Sequence, residues 1–360
     1  MKFKFDDIAI NSTKKKIPEE SDKNVYIGLE HIDSECFTIT RWGAEAAPIG
    51  DKLLMQKGDV LFGKRRAYQR KVAIAPFDGI FSAHGMVLRP KENVVTKEFF
   101  PFFISSDQFM ERAVRISVGG LSPTVNWKDL KEQEFELPSI EEQKVLAEKL
   151  WAAYRLKESY KKLLAATDEM VNSRFIEMFG DPMTNSKHWK NFEFVKDVAE
   201  IVLGSTPNSK NPLFWDGDIN WITPAELSEL SYIVSDTERH ITKEGLLSAN
   251  LTMMPVGTVL FSTRAPIGKV AITGQEMCCN QGFKNFVCSD KVNNVYLYYT
   301  LKFKKDYLCS LGTGTTFKEL SKKVIETLKI AVPPIDLQND FERIYNQTNK
   351  SGFVSSNRGL

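Results

Sequence analysis

The sequence predicts an α+β protein: two similar mixed α/β domains in tandem, joined by a long α-helix. Three observations carry this. A short, basic, β-rich phrase occurs twice, as GDVLFGKRRAYQRKVAIA at 58–75 and GTVLFSTRAPIGKVAIT at 257–273. Other blocks repeat in the same order, the offset being 199 residues at the first block and 195 at the last. Between the copies, residues 141–182 hold no Pro or Gly before Gly180.

The repeat is best seen block by block. Phe81-Ser82-Ala83-His84-Gly85 is echoed by Cys279-Asn280-Gln281-Gly282, and each block leads into an apolar strand. Gly119-Gly120-Leu121-Ser122-Pro123-Thr124 is echoed by Gly312-Thr313-Gly314-Thr315-Thr316. Each is followed by a helix-like run, Trp127-Lys128-Asp129-Leu130 and Phe317-Lys318-Glu319-Leu320. Leu137-Pro138-Ser139-Ile140-Glu141-Glu142-Gln143 matches Val332-Pro333-Pro334-Ile335-Asp336-Leu337-Gln338. A period near 200 is far above that of a solenoid, whose units run ~20–50 residues, so each copy is a complete domain. Short β-branched runs broken by Gly, Pro and Asn predict strands at 25–29, 60–62, 71–75 and 86–88, and at 259–261, 269–273 and 283–287. The boundaries are 1–138 for the first domain, 139–181 for the helix, 182–335 for the second domain and 336–360 for a short distal helix and tail.

Ser139 and Glu142 form a capping box at the start of the central helix, and Gly180 with Pro182 ends it. At 1.5 Å per residue its length is about 60 Å. Leu146, Leu150, Tyr160, Leu164, Val171 and Met178 lie on one stripe, and a second apolar register runs beside it. The face is wider than a two-stranded seam needs, which makes it a spacer with a docking surface. The distal helix, with Leu337, Phe341, Ile344 and Tyr345 on its apolar face, is expected to be about a third as long. That leaves Leu164, Val171 and Met178 without an intramolecular partner, to be covered by another subunit or a second copy of the chain.

Composition excludes several classes. No apolar run approaches the ~20 residues of a membrane span, and the N-terminal MKFKFDDIAINSTKKK has no apolar core of a signal peptide. The five cysteines (36, 278, 279, 288, 309) are odd in number and lack C-x-x-C spacing, which fits buried small hydrophobes in a reducing cytoplasm. His31, His84, His188 and His240 are scattered, so no metal site is expected. There is no P-loop, no G-x-G-x-x-G after a strand and no catalytic carboxylate pair. Gly312-Thr313-Gly314 lacks a partner lysine and reads as a turn.

Net charge is +2, and the two domains are nearly neutral, with 21 Lys+Arg against 20 Asp+Glu in 1–138 and 17 against 15 in 182–335. Charge is instead concentrated locally. Lys64, Arg65, Arg66, Arg70 and Lys71 place five cations in eight residues, a density that needs water or anions. The second copy keeps Arg264 and Lys269 but changes their surroundings to Ser262 and Thr263. Two related readers of different DNA sequences would share a frame and differ at the tips in this way. His84 in the first copy and Asn280, Gln281 and Lys284 in the second are candidate base readers, since Asn and Gln suit adenine and Arg suits guanine. Thr315 and Thr316 in the repeated glycine block complete the candidate DNA-binding set.

LGSTPNSKNPLFWDGDINWITPAEL (203–227), GTVLFSTRAPIGKVAIT, CNQGFK, LGTGTTFKEL and VPPIDLQ together resemble the successive blocks of the DNA-specificity subunit of type I restriction–modification systems. The resemblance runs from residue 1 to about 348. It implies two target recognition domains, each reading one half of a bipartite double-stranded DNA site, and a central helix paired as a coiled coil with the distal one to set the gap. It further implies two modification subunits that methylate adenine with S-adenosylmethionine, and restriction (motor–nuclease) subunits. This chain would then carry no cofactor, no metal and no catalytic residue. Trp215 and Trp221 are expected in the core rather than stacked on bases. The alternatives are a stand-alone DNA methyltransferase or nuclease, or a scaffold that binds protein rather than DNA.

Overall fold

The computed structural model describes residues 1–227, 232–264, 266–314 and 318–353, with side chains described through Thr348. It divides into two compact units, Met1–Ser159 and Tyr160 onward.

In the first unit, Lys2–Lys4 pairs antiparallel with Glu134–Glu136, so the start of the chain is tied to the end of the domain. One four-stranded antiparallel sheet has the order Ala9–Ser12, Met86–Pro90, Val60–Phe62, Val72–Ile74. A second has the order Lys15–Lys16, Lys52–Met55, Gly79–Phe81, Tyr26–Ile27, the last pair parallel. Each of Val60, Leu61 and Phe62 is buried, because one side of that strand meets the helices around Phe103 and Phe109 and the other meets the second sheet.

The second unit repeats this plan. Phe192–Phe194 pairs with Lys329–Ala331. A five-stranded sheet runs Ala199–Leu203, Lys284–Cys288, Val259–Phe261, Val270–Thr273, Ile233–Val234. A three-stranded sheet runs His240–Ile241, Trp215–Ile222, Cys278–Cys279. The repeat is therefore wider than the phrases first noticed: the opening helical turns Phe5–Ile8 and Val195–Val198 also correspond, each between a strand paired to the domain's end and a strand of the main sheet. The strands at 60–62 and 259–261 fall where predicted. The 25–29 strand shortens to Tyr26–Ile27 between 3-10 turns.

One correspondence is corrected. The counterpart of the helix Trp127–Leu130 is Lys322–Glu326, not 317–320. Ser321 caps it through Val324 N–H, at the place of Asn126, and buried Ile325 takes the place of Leu130.

The central helix runs Ile140–Phe179. Ser139 N–H donates to Glu142 Oε2 at 2.8 Å, and Glu142 N–H donates back to Ser139 Oγ at 3.4 Å, forming the predicted capping box. Gly180 ends the helix at φ +77°, its N–H bonded to Ile176 O. The helix is not a bare spacer. In the first unit Ala147 is buried, Trp151 Nε1–H donates to Glu98 O at 2.9 Å, and Tyr154 Oη accepts from Phe37 N–H at 3.0 Å and Thr38 N–H at 3.2 Å. In the second unit Val171, Phe175 and Phe179 are buried in the core, and Met178 packs against it. Val171 and Met178 are thus covered by their own unit, which corrects the docking face expected for them. A straight stripe drawn on the helix cannot show where a neighbouring domain takes it up. Leu146, Tyr160 and Leu164 are exposed and Leu150 is half-buried.

The distal helix runs Ile335–Phe353, 19 residues, nearly half the central helix rather than a third. It meets the central helix through Phe341, whose ring lies 5.3 Å from that of Phe175 and 5.6 Å from that of Phe179. Trp215 and Trp221 are buried as expected, T-shaped at 5.1 Å, with the Arg239 guanidinium 3.6 Å over Trp215. Burial pushes the thiols of Cys278, Cys279 and Cys288 up to about 12, which makes them unreactive. No helix among the described residues is long and apolar enough to cross a membrane.

Candidate nucleic-acid interface

The basic turn of the first unit connects Val60–Phe62 to Val72–Ile74. Arg66 (φ 57°) and Arg70 (φ 52°) bracket a 3-10 turn, Ala67–Gln69, in the left-handed region that non-glycine residues seldom enter. Long-range bonds hold this shape. Arg66 N–H donates to Pro123 O at 2.7 Å, Arg65 N–H to His84 O at 3.1 Å, and Val125 N–H to Lys64 O at 3.0 Å. Three segments distant in sequence therefore meet: the turn, the His84 loop and the glycine block at 119–124.

Their side chains form one cationic corner. Ser122 Oγ accepts from Arg65 Nη2 at 3.2 Å and from Arg66 Nε and Nη2 at 3.3 and 3.2 Å. Arg65 Nη1 lies 3.3 Å from His84 Nε2. A guanidinium can only donate, so Nε2 accepts and the imidazole is neutral. Burial holds the His84 pKa below 6.5, and Arg65, Lys64 and Lys52 lower it further. Burial, with Lys15 behind it, likewise lowers the pKa of half-buried Lys64.

The other cations of the phrase are used internally. Arg70 pairs with Asp107 at 2.7 Å and donates to Ser105 O at 2.9 Å. Lys71 Nζ donates to Leu29 O at 2.6 Å. Lys269, its counterpart, donates to Pro224 O at 3.0 Å and Leu227 O at 2.8 Å. In both units the lysine staples the loop that follows a strand paired in parallel, Tyr26–Ile27 in the first and Trp215–Ile222 in the second, a carbonyl contact that local sequence cannot reveal.

In the second unit the corner is rebuilt. Ser262 and Thr263 are fully buried, which corrects their expected place at the DNA surface. Ser262 Oγ–H donates to Pro266 O and accepts from Lys269 N–H, while Thr263 Oγ1 accepts from Lys284 Nζ at 3.1 Å. Shared strand register (Val60 opposite Leu88, Val259 opposite Phe286) puts Gly282 at the place of His84 and Lys284 at that of buried Met86. Lys284 is 6% exposed, so it is an internal group as well. Arg264 is exposed, and its Nε lies 3.0 Å from Glu319 Oε2. Gln281 is exposed, with Thr206 Oγ1–H donating to its Oε1 at 2.5 Å, and Asn280 Oδ1 accepts from Gly282 N–H at 2.9 Å. Thr315 and Thr316 lie outside the described residues.

Ser122 and Thr124 also belong to the corner of the first unit, and Glu319 to that of the second, though the sequence alone did not single them out. The signal available was their position: each follows a repeated glycine pair. Among the described residues no group of three or more His, Cys, Asp or Glu side chains is placed to hold a metal.

The family model described as type I restriction modification DNA specificity domain matches residues 1–166 and 186–345. The chain is 42% identical over 142 residues to the type I restriction enzyme MjaIX specificity subunit of Methanocaldococcus jannaschii, covering 39% of this chain and 33% of that one. It is 24% identical over 310 residues to the putative type I restriction enzyme MjaX specificity subunit of the same organism, covering 78% and 69%. The matched part thus spans a third of the first relative and about two thirds of the second. The crystal structure of the type I restriction–modification system S subunit from M. genitalium shares the fold, with a TM-score of 0.60 at 12% identity over 98% of this chain and 89% of that one.

Proposed function

The chain belongs to the type I restriction modification DNA specificity family, and on that footing we propose that it is the subunit through which a restriction–modification complex recognises DNA. Each unit reads one half of a split site. Arg65, Arg66 and His84 in the first unit, and Arg264, Asn280 and Gln281 in the second, are the side chains proposed to face DNA. Lys64 adds positive potential behind them, and Lys71, Lys269, Arg70, Ser262, Thr263 and Lys284 support the corner from within. The observation that carries this reading is the repetition of one frame with different tips: an arginine at the same place in both units (Arg65, Arg264), in a backbone bridge to the same loop (Thr124, Glu319).

The exposed part of the central helix, with Leu146, Tyr160 and Leu164, is proposed to dock two modification subunits, which carry S-adenosylmethionine and methylate adenine. Restriction subunits join that assembly, and the helix fixes the gap between half-sites. The chain itself supplies recognition and no chemistry. Co-expression with a cognate modification subunit, followed by mapping of methylated adenines in the host genome, tests this. One motif of two short specified parts around a fixed gap is the expected result. A folded, assembled complex that methylates no such motif overturns it.

A further inference from the structure

We propose that Glu319 sets how strongly the second unit holds DNA, by withholding Arg264 from phosphates, and that the exchange of Thr124 for Glu319 at one place in the repeat makes the two readers electrostatically unequal. This rests on the DNA-binding reading above.

The equivalence of the two positions comes from the backbone. Thr124 is bridged to Arg65 on one side and Val118 on the other; Glu319 is bridged to Arg264 and Thr313 in the same way. Each is followed by a fully buried anchor, Val125 and Leu320, whose N–H donates to the same carbonyl position, Lys64 O and Thr263 O. Directly opposed residues on paired backbones bring their side chains together. In the first unit this puts a neutral hydroxyl beside Arg65, whose guanidinium is left with Ser122 and neutral His84.

In the second unit the same geometry puts a carboxylate between two cations, Arg264 at 3.0 Å and Lys284 at 3.5 Å. Lys284 is held inside, with its side chain 8% exposed, and cannot leave. Arg264 (46% exposed) and Glu319 (38% exposed) face solvent. A phosphate approaching this corner therefore meets an arginine already paired and a carboxylate that repels it. In the first unit, among the described residues, no carboxylate pairs with Arg65, which contacts only the neutral Ser122 and His84 side chains. Burial lowers the Lys284 pKa, and the Glu319 carboxylate acts against that.

The test measures retention of a short duplex of scrambled sequence by the full chain across a salt series. Removing the carboxylate charge with Glu319→Gln frees one phosphate contact, so binding tightens roughly fivefold near physiological salt and the log–log salt slope steepens by about 0.9. Thr124→Glu installs the pair in the first unit and does the reverse, weakening binding roughly fivefold and flattening the slope by about 0.9. If Glu319→Gln fails to fold because Lys284 loses its partner, Thr124→Glu decides alone. Folded variants with unchanged affinity and slope, or tighter binding by Thr124→Glu, overturn the inference while leaving the DNA-binding reading intact. A wild-type chain with no salt-dependent retention removes both.

Discussion

Gln143 and Gln338 occupy the same place in the two units and make the same three hydrogen bonds. Both are fully buried. Gln143 Oε1 accepts from Thr96 N–H at 2.8 Å, and its amide donates to Val94 O and Pro138 O, each at 2.9 Å. Gln338 Oε1 accepts from Asn293 N–H at 2.9 Å, and its amide donates to Lys291 O at 3.2 Å and Pro333 O at 2.7 Å. One side chain thus locks the first turn of each long helix to its domain, which gives the repeated Pro-x-x-x-x-Gln spacing a physical reason.

Gln143→Ala leaves one buried donor and two part-buried acceptors without partners. It destabilises the first unit by roughly 2–4 kcal/mol, and Gln338→Ala does the same in the second. Denaturant titration read by hydrogen exchange at Thr96 or Asn293 checks this: each amide loses protection only in its own variant. Equal loss at both sites from one substitution contradicts it.

Phe175 is fully buried among Phe179, Tyr296, Tyr299, Phe303 and Phe341, with ring centroids 5.0–5.7 Å away. Phe175→Ala opens a cavity at the joint of the central and distal helices and costs about 3–5 kcal/mol. Thermal unfolding measures the loss, and Phe175→Leu recovers part of it.

Lys71→Ala and Lys269→Ala free backbone carbonyls rather than phosphate contacts. Each lowers stability by roughly 1–3 kcal/mol without changing the salt slope of DNA binding. Arg66→Ala leaves stability nearly unchanged and flattens that slope by about 0.9. A slope that moves with Lys71→Ala places its ammonium on DNA instead.

His84 gives a pH dependence with a definite sign. Its folded pKa lies below 6.5 because of burial and the cations beside it. The unfolded chain therefore takes up the proton first, and this group's stability contribution is complete above pH 6.5 and is lost as pH falls through the folded value. DNA phosphates reverse the bias, so binding takes up a proton and strengthens on acidification below that point. His84→Gln removes this part of the pH response at constant salt; an unchanged response rules the ring out.

The duplication, the central helix and its caps were legible because they rest on local order: repeated words, helix-forming composition, Ser139 with Glu142, Gly180. The inner strands were legible because Val60–Phe62 and Val259–Phe261 are continuous apolar runs. The opening block was not, since Lys2–Lys4 and Phe192–Phe194 are edge pairs of two-stranded ribbons whose polar faces look like loop. Which cations stay free was not legible either. Arg65 and Lys71 are alike in sequence, and only the fold brings Leu29 O to the lysine. Glu319 hid because its partner depends on a bridge between segments that the sequence keeps far apart.

The paired staples have an evolutionary consequence. Lys71 and Lys269 hold their loops through backbone carbonyls, a chemistry every residue offers, so the stapled loops can change side chains without losing their anchor. After the duplication the two halves shared a chassis indifferent to what it displayed. On the proposed reading, drift at a few outward positions gives each half its own taste in DNA, while the interior keeps their common plan.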